Sequence, residues 1–384
     1  MFNKWIEIDA EVTRRNLSAI RSHLKEHTAL MAVMKNQAYG HGLTETAEFL
    51  QKEGVSHWAV TWVEEGLALR RAGISGEILL LAPVAPEEIE SAITGQLTLT
   101  AASLEDLHLI GDAAQKLQET ACVHLKIETG LSRFGFLHKE ILVQAAEKLR
   151  DCSRIKVTGA FTHMADAADE AFTQKQFAAF LQAVNVLKNA GLELPCLHCA
   201  NSGVFLKYPQ MQLDMVRIGT LLCGQYPAGN YPHPLNLQEP WHYKTRIRSI
   251  KKLPAGSFLG YKRTAKLKNP AQIAVIPVGY SDGLALIVNN RAEGFVDLCK
   301  RIVKLILTQL GMNRFQLKVK IKGHGYPVRG KVFMQMALVE LPSSLSVHPG
   351  DEVEVPISKT LAGETVPRVY VETDMGSMWQ TKPE

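Results

Sequence analysis

The 384-residue chain is 46% hydrophobic and 21% charged, a balance that excludes a disordered or fibrous protein and suits two domains that each bury a core. Its net charge of +5 is small for this length and not gathered in one tail, so no nucleic-acid partner is expected. The opening MFNKWIEIDAEVTRR lacks the apolar run of a signal peptide, and no stretch reaches the ~20 apolar residues of a membrane span; the expected setting is cytoplasmic, without a membrane partner.

The first strongly apolar run, ALMAVMK, ends abruptly in Lys35 and is followed by Tyr39 in a glycine-bordered turn. A lysine closing a buried strand is poorly solvated, which lowers its pKa and makes the neutral, nucleophilic amine accessible, so Lys35 is a Schiff-base candidate. The competing reading is a lysine that snorkels to the rim and only solubilises it.

From about residue 29 to 220, β-rich runs alternate with helical patterns. The strands are ALMAVMK, HWAVTW, ILLLAP, LTLTAA, CVHLKIE, KVTGAFTH, LPCLHCAN and MVRIG. Between them lie stretches such as EEGLALRRAG and FTQKQFAAFLQAVNVLKNAG, several closing on a glycine as helix ends do. Eight such units predict an α/β fold, a (β/α)8 barrel; an open doubly wound sheet would want a G-x-G-x-x-G after its first strand, which is missing. Lys35, His163, the group His198, Asn201 and Ser202, and Arg217 with Gly219 fall at strand C-terminal ends, with Arg133 in the loop after the fifth strand, where barrel enzymes assemble their sites.

The cysteines are scattered apart from Cys196 and Cys199, and no second C-x-x-C completes a four-ligand set. On a strand, positions three apart face opposite ways, so no metal is expected. After Tyr226 a proline-rich connector, PAGNYPHPLNLQEP, leads into β-rich stretches without regular helices. The expected domains are therefore 1–232, the barrel, and 233–384, a mostly antiparallel β domain. One segment inside it, Asn290 to Gly311, carries Val296, Cys299, Val303, Ile306 and Leu310 at helical intervals with Lys300, Arg301 and Lys304 interleaved. It is expected to form a helix packed onto its own domain or a dimer mate.

Eight strings occur in one order: AVMKNQAYGHG, KIETGLSRFGF, THMADAAD, LHCANS, MVRIG, GYKRT, VGYSDG and VPRVY. Together they resemble the alanine racemase family of fold-type III pyridoxal-phosphate enzymes. The resemblance implies a homodimeric racemase using pyridoxal 5'-phosphate, acting on alanine, with serine or another small amino acid next, and the segment 1–10 pairing with the β domain. It implies that Lys35 carries the cofactor and is the base on one face, and that Tyr261 of GYKRT serves the other face from the partner subunit. Arg217 would meet the pyridine nitrogen, oriented by His198. His163 would contact the ring and tune Tyr261. Tyr39, Ser202 and the backbone of Ile218 and Gly219 would hold the phosphate, with Asn201 in the same motif. Arg133, Met334 and Tyr280 would face the substrate, and Lys126, carbamylated in some relatives, would position Arg133.

Two departures stand out. Gln335 replaces the carboxylate that usually follows the family's methionine, and the shortened stretch Pro356 to Thr365 lacks a tyrosine that relatives place at the phosphate, which implies a more open pocket. Two alternatives remain: an amino-acid decarboxylase of the same fold, which would prefer a glutamate at the pyridine nitrogen, and a non-catalytic pyridoxal-phosphate-binding protein, which would lack the β domain.

Overall fold

The computed structural model describes residues 2–229, 231–286, 294–309 and 316–372. One unit is built from Asp9–Pro240; the other combines Trp241–Val371 with the N-terminal segment up to Ile8. The division lies beyond the proline-rich connector, not near residue 233, because that connector is tied to the barrel. Asn16 donates to the Gln238 carbonyl (2.8 Å) and accepts from its N–H (3.0 Å), and Leu235 is buried in the same core.

The first strand, β1 (Lys4–Asp9), belongs to the second unit. Strands β2 (Ala29–Val33), β3 (His57–Val60), β4 (Glu77–Leu80) and β9 (Met215–Ile218) form one parallel sheet in the order β4-β3-β2-β9. A second parallel sheet contains β5 (Leu99–Ala101), β6 (Ala121–Lys126), β7 (Ile155–Phe161) and β8 (Leu197–His198). Backbone bonds close both seams into a barrel. Thr98 N–H donates to Ile78 (2.8 Å) between β4 and β5, and Arg217 N–H donates to Ala200 (2.9 Å) beside β8 and β9.

Helices α1 (Ala10–Arg21), α2 (Leu43–Lys52), α3 (Val63–Arg71), α4 (Ile89–Thr94), α5 (Leu104–Leu117), α6 (Lys139–Asp151), α7 (Glu170–Asn189) and α8 (Ser202–Lys207) connect the strands. Polar side chains start several of them by accepting a first-turn N–H: Asp9 for α1, Ser103 for α5, Asp169 for α7 and Asn201 for α8. Strand periodicity divides the core. Leu30, Ala32, Trp58, Val60, Ile78 and Leu80 pack on the helices, while Met31, Val33, Ala59, Leu79 and Met215 form a separate cluster inside the barrel.

The second unit contains β10 (Trp241–Arg246), β11 (Ser249–Leu253), β12 (Phe258–Leu259), β13 (Ala265–Lys266), β14 (Ala271–Ile276), β15 (Lys318–Ile321), β16 (His324–Arg329), β17 (Ala337–Pro342), β18 (Glu352–Glu354) and β19 (Arg368–Val371). Nine strands form one sheet, β11-β14-β17-β16-β15-β18-β10-β1-β19, and β12 and β13 make a separate hairpin. The pairing is mostly antiparallel; β1 lies against β10 with Ile6 opposite Tyr243, both fully buried.

Helix α9 (Phe295–Gln309) is the described part of the insertion; Asn290, Leu310 and Gly311 lie outside the described residues. Of the two expected settings, its own domain or a dimer mate, the first leaves much of the apolar face uncovered: Phe295, Val303 and Leu305 are 78%, 53% and 62% exposed within this chain. Among the described residues no helix is long and apolar enough to cross a membrane.

Candidate active site

A cavity of about 470 Å³ opens at the C-terminal ends of the barrel strands, a size ordinary for a small-molecule site. Its wall carries Lys35, Tyr39, Arg133, His163, Asn201, Ser202, Arg217 and Gly219. Segments far apart in the chain thus converge on one space.

Lys35 follows β2 directly, and the next four residues adopt an unusual backbone. Asn36, Gln37, Ala38 and Tyr39 all have φ between 48° and 56°, a left-handed turn, and Gly40 and Gly42 continue with φ of 91° and 92°. Left-handed geometry costs about 1–2 kcal/mol per non-glycine residue, so the surroundings have to impose it. Glu65 of α3 supplies part of that constraint: its carboxylate accepts from Asn36 N–H (2.8 Å) and from Thr61 and Trp62 N–H (2.8 and 3.1 Å). The turn carries Tyr39 to the mouth of β9, where a Cβ on Gly219 would lie 2.4 Å from the Tyr39 hydroxyl. Only a glycine permits that approach.

The Lys35 side chain is open to the cavity, yet protein around its ammonium lowers its pKa by desolvation; Arg133 adds to the effect and Glu65 opposes it. A neutral amine is therefore more accessible here than on an ordinary surface lysine. Burial pushes the Tyr39 phenol well above its usual range, so it stays protonated and can donate.

Arg217 on β9 is 3% exposed and projects into the barrel. Its Nη1 donates to His198 Nδ1 (2.7 Å), and its Nη2 donates to the Thr162 carbonyl (2.8 Å) and lies 3.5 Å from His163 Nδ1. Desolvation lowers its pKa to about 10, which leaves it charged at neutral pH. Desolvation first and Arg217 second push His163 and His198 far below the ordinary imidazole range, so both are neutral. The His198 ring stacks on Phe161 with centroids 5.0 Å apart.

Lys126, 1% exposed, lies below the cavity floor with its ammonium over the Phe161 ring at 5.0 Å. Its Nζ donates to the Ile127 carbonyl at 3.3 Å. Desolvation, then Arg217, lowers its pKa to about 7. Arg133 stacks on Phe134 at 4.7 Å, and Glu128 shapes its loop by accepting from Gly130 and Arg133 N–H. Three basic side chains on the wall and a fourth beneath it make the cavity electropositive, a match for an anionic ligand.

Three other sequence candidates belong to the β unit. Tyr261 is 71% exposed and meets Phe333 edge to face at 5.2 Å. Tyr280 N–H donates to the Phe333 carbonyl (3.0 Å), and Ser281 N–H and hydroxyl both donate to Met334 (3.0 and 2.7 Å). Tyr261, Tyr280 and Met334 thus gather around one short segment, all largely uncovered in the single chain. The Ile218 side chain is fully buried in the helix-side core, so only its backbone can face the phosphate, and the next residue on the wall after Gly219 is Thr220. Asn201 lines the cavity but spends its side chain on structure, accepting from Val204 N–H (3.1 Å) and donating to the Met164 carbonyl (3.1 Å). Sequence reading did not single out Glu65, Thr220 or Tyr231. Tyr231 comes from the patternless connector, and its ring lies where a Cβ on Gly203 would approach to 3.0 Å.

Residues 8–227 match the family model for the alanine racemase N-terminal domain, and residues 241–369 that for the alanine racemase C-terminal domain. The chain belongs to the alanine racemase family. It is similar to alanine racemase 2 of Oceanobacillus iheyensis, 36% identical over 294 residues covering 76% of this chain and 74% of the relative. An alanine racemase of Methanococcus maripaludis is 32% identical over 354 residues, 91% of this chain and 88% of the relative. Among solved structures, an alanine racemase of Clostridium difficile 630 superposes with a TM-score of 0.84 at 30% identity, over 97% of this chain and 96% of that one. A Bacillus anthracis alanine racemase with bound L-Ala-P gives 0.77 at 26% identity, over 92% and 86%.

The family depends on pyridoxal 5'-phosphate, and the residues present fit that group. A lysine with a lowered pKa, a buried guanidinium, a protonated tyrosine held against a glycine and an electropositive wall are the donors that an aldehyde-bearing pyridine phosphate needs.

Proposed function

We propose that this protein interconverts L- and D-alanine as a cytoplasmic homodimer, each active site taking its second proton-transfer group from the other subunit. Lys35 would hold pyridoxal phosphate covalently, Tyr39, Ser202 and Gly219 its phosphate, and Arg217 its ring nitrogen. When bound, the cofactor supplies the electron sink that acidifies the substrate Cα–H. Lys35 Nζ, neutral often enough because of its lowered pKa, takes or returns the Cα proton on one face. The partner subunit's Tyr261 does the same on the opposite face through its hydroxyl. His163 stays neutral and is able to accept, and Arg133 draws the substrate carboxylate by charge. Arg217 donates a hydrogen bond but does not surrender its proton, which favours a reaction that returns the same bond.

The observation that carries the cross-subunit reading is the 71% exposure of Tyr261 beside the likewise uncovered Tyr280 and Met334. A proton-transfer group has to be withdrawn from bulk water to work, and a second copy covering this patch would do that. Alanine and serine are incubated with the protein and cofactor, and their enantiomers separated by chiral chromatography. Alanine is expected to racemise. Mixing Lys35→Ala with Tyr261→Phe, each inactive alone, is expected to restore about a quarter of the sites through mixed dimers. No recovery on mixing, with subunit exchange verified, would refute the shared site.

A further inference from the structure

Arg217 is the first member of a line of polar groups that crosses the barrel interior away from the cavity. His198 Nε2 lies 2.9 Å from His124 Nδ1 on β6, and His124 Nε2 faces Glu77 Oε1 at the start of β4 across 3.2 Å, a close contact off the line of a well-formed hydrogen bond. His124 and His198 are fully buried, and Thr98 donates to the same Glu77 oxygen at 3.2 Å. A cation at one end and a carboxylate at the other are joined by two imidazoles.

The direction of every proton in this line follows from its ends. A guanidinium has donors only, so His198 Nδ1 must offer a lone pair to Arg217, and its proton must sit on Nε2. His198 Nε2–H then donates to His124 Nδ1, which places the second proton on His124 Nε2, facing the carboxylate. Reversing the line would point an N–H of His198 at the Arg217 donors and an imidazole lone pair at Glu77. Two mismatches would arise at once, around two imidazoles that are fully buried.

We propose that Glu77 and His124 are positioning residues: acting through His198, they lock the single tautomer that lets Arg217 hold its place and present its free edge to the cavity. Neither touches the ligand space; their influence reaches it only through imidazole orientation. This rests on the role given above to Arg217, but the lock itself is a property of the protein without cofactor.

Neutron diffraction from the deuterated, cofactor-free protein tests the lock directly. Deuterium is expected on Nε2 of both His124 and His198 and on neither Nδ1; deuterium on His198 Nδ1 would overturn the proposal. Glu77→Leu removes the carboxylate that faces His124 Nε2 and is expected to lower kcat about tenfold with KM little changed, and to alter the hydrogen positions on His124. Glu77→Gln keeps an acceptor and is expected to recover most of the loss. A folded Glu77→Leu protein with unaltered hydrogen positions and unaltered kcat would sink the idea; should that variant fail to fold, the wild-type hydrogen positions decide. Absence of alanine turnover by the wild type would count against the racemase reading and leave the neutron result standing by itself.

Discussion

The barrel interior has two unlike regions. Met31, Val33, Ala59, Leu79 and Met215 fill one part as a barrel core usually is, with apolar side chains in layers. His124, Lys126, His198 and Arg217 fill the other, with the Phe161 ring between them. The apolar part needs only volume and shape. Every polar group in the second part needs a partner, because an unmatched buried donor or charge costs more than an apolar side chain would. Arg217 finds His198 and the Thr162 carbonyl, and His198 finds His124. Among the described residues, Lys126 is in contact with the Ile127 carbonyl and the face of Phe161, with Glu128 adding charge attraction. Stability resides in the apolar part, whereas the polar part sacrifices stability to hold charge next to the ligand space.

That contrast breaks most sharply at Lys35. Lys35→Ala is expected to lower alanine racemisation by on the order of 10³-fold or more, with the melting temperature nearly unchanged because the side chain is open to the cavity. A thermal melt beside a chiral assay checks both halves. In the apolar part the reverse pattern is expected. Met31→Ala, at a fully buried position, should cost about 2–5 kcal/mol in urea unfolding, while the folded fraction keeps its KM.

Lys126 sharpens the comparison through pH. Its folded pKa, about 7, lies below the ordinary lysine value of 10.5. Between those two values the unfolded chain binds a proton that the folded one lacks, so this residue makes stability rise with pH. The penalty is complete below about 7 and gone above 10.5. Lys126→Met in the cofactor-free protein should be more stable than wild type at pH 7, by at most about 5 kcal/mol, with a flatter profile up to pH 10. Urea titrations along that range measure it; identical slopes for both proteins would show that the ammonium is not penalised.

The smallest change is steric. Gly219→Ala places a methyl 2.4 Å from the Tyr39 hydroxyl and forces the phenol away, which should weaken cofactor binding about tenfold by fluorescence titration. Unchanged affinity would remove Tyr39 from the set of phosphate donors.

Much of the molecule could be read from linear patterns, because barrel strands advertise themselves. Their apolar runs recur between helical stretches, and chemistry-bearing residues at their C-terminal ends all open on one mouth, so the sequence alone puts Lys35, His163 and Arg217 together. Local rules failed at Thr220, which lies on the cavity wall without belonging to any recognised motif. They also failed for Tyr231, in a connector with no periodicity, and for Glu65, whose carboxylate stabilises a left-handed turn that begins 29 positions earlier at Asn36. Helix α9 shows the opposite case: its amphipathic pattern was plain, but the surface it covers was not, since exposure is settled by what lies beside a helix in space.

The chain's periodicity and motif order by themselves determined the barrel, the β domain and the lysine and arginine at the mouth, because those depend on short-range spacing and on side-chain chemistry. Tertiary structure alone decided how the buried charges are matched. Glu77, His124, His198 and Arg217 come from four strands spread over 140 positions, and only closure of the barrel brings a carboxylate within two imidazoles of a guanidinium.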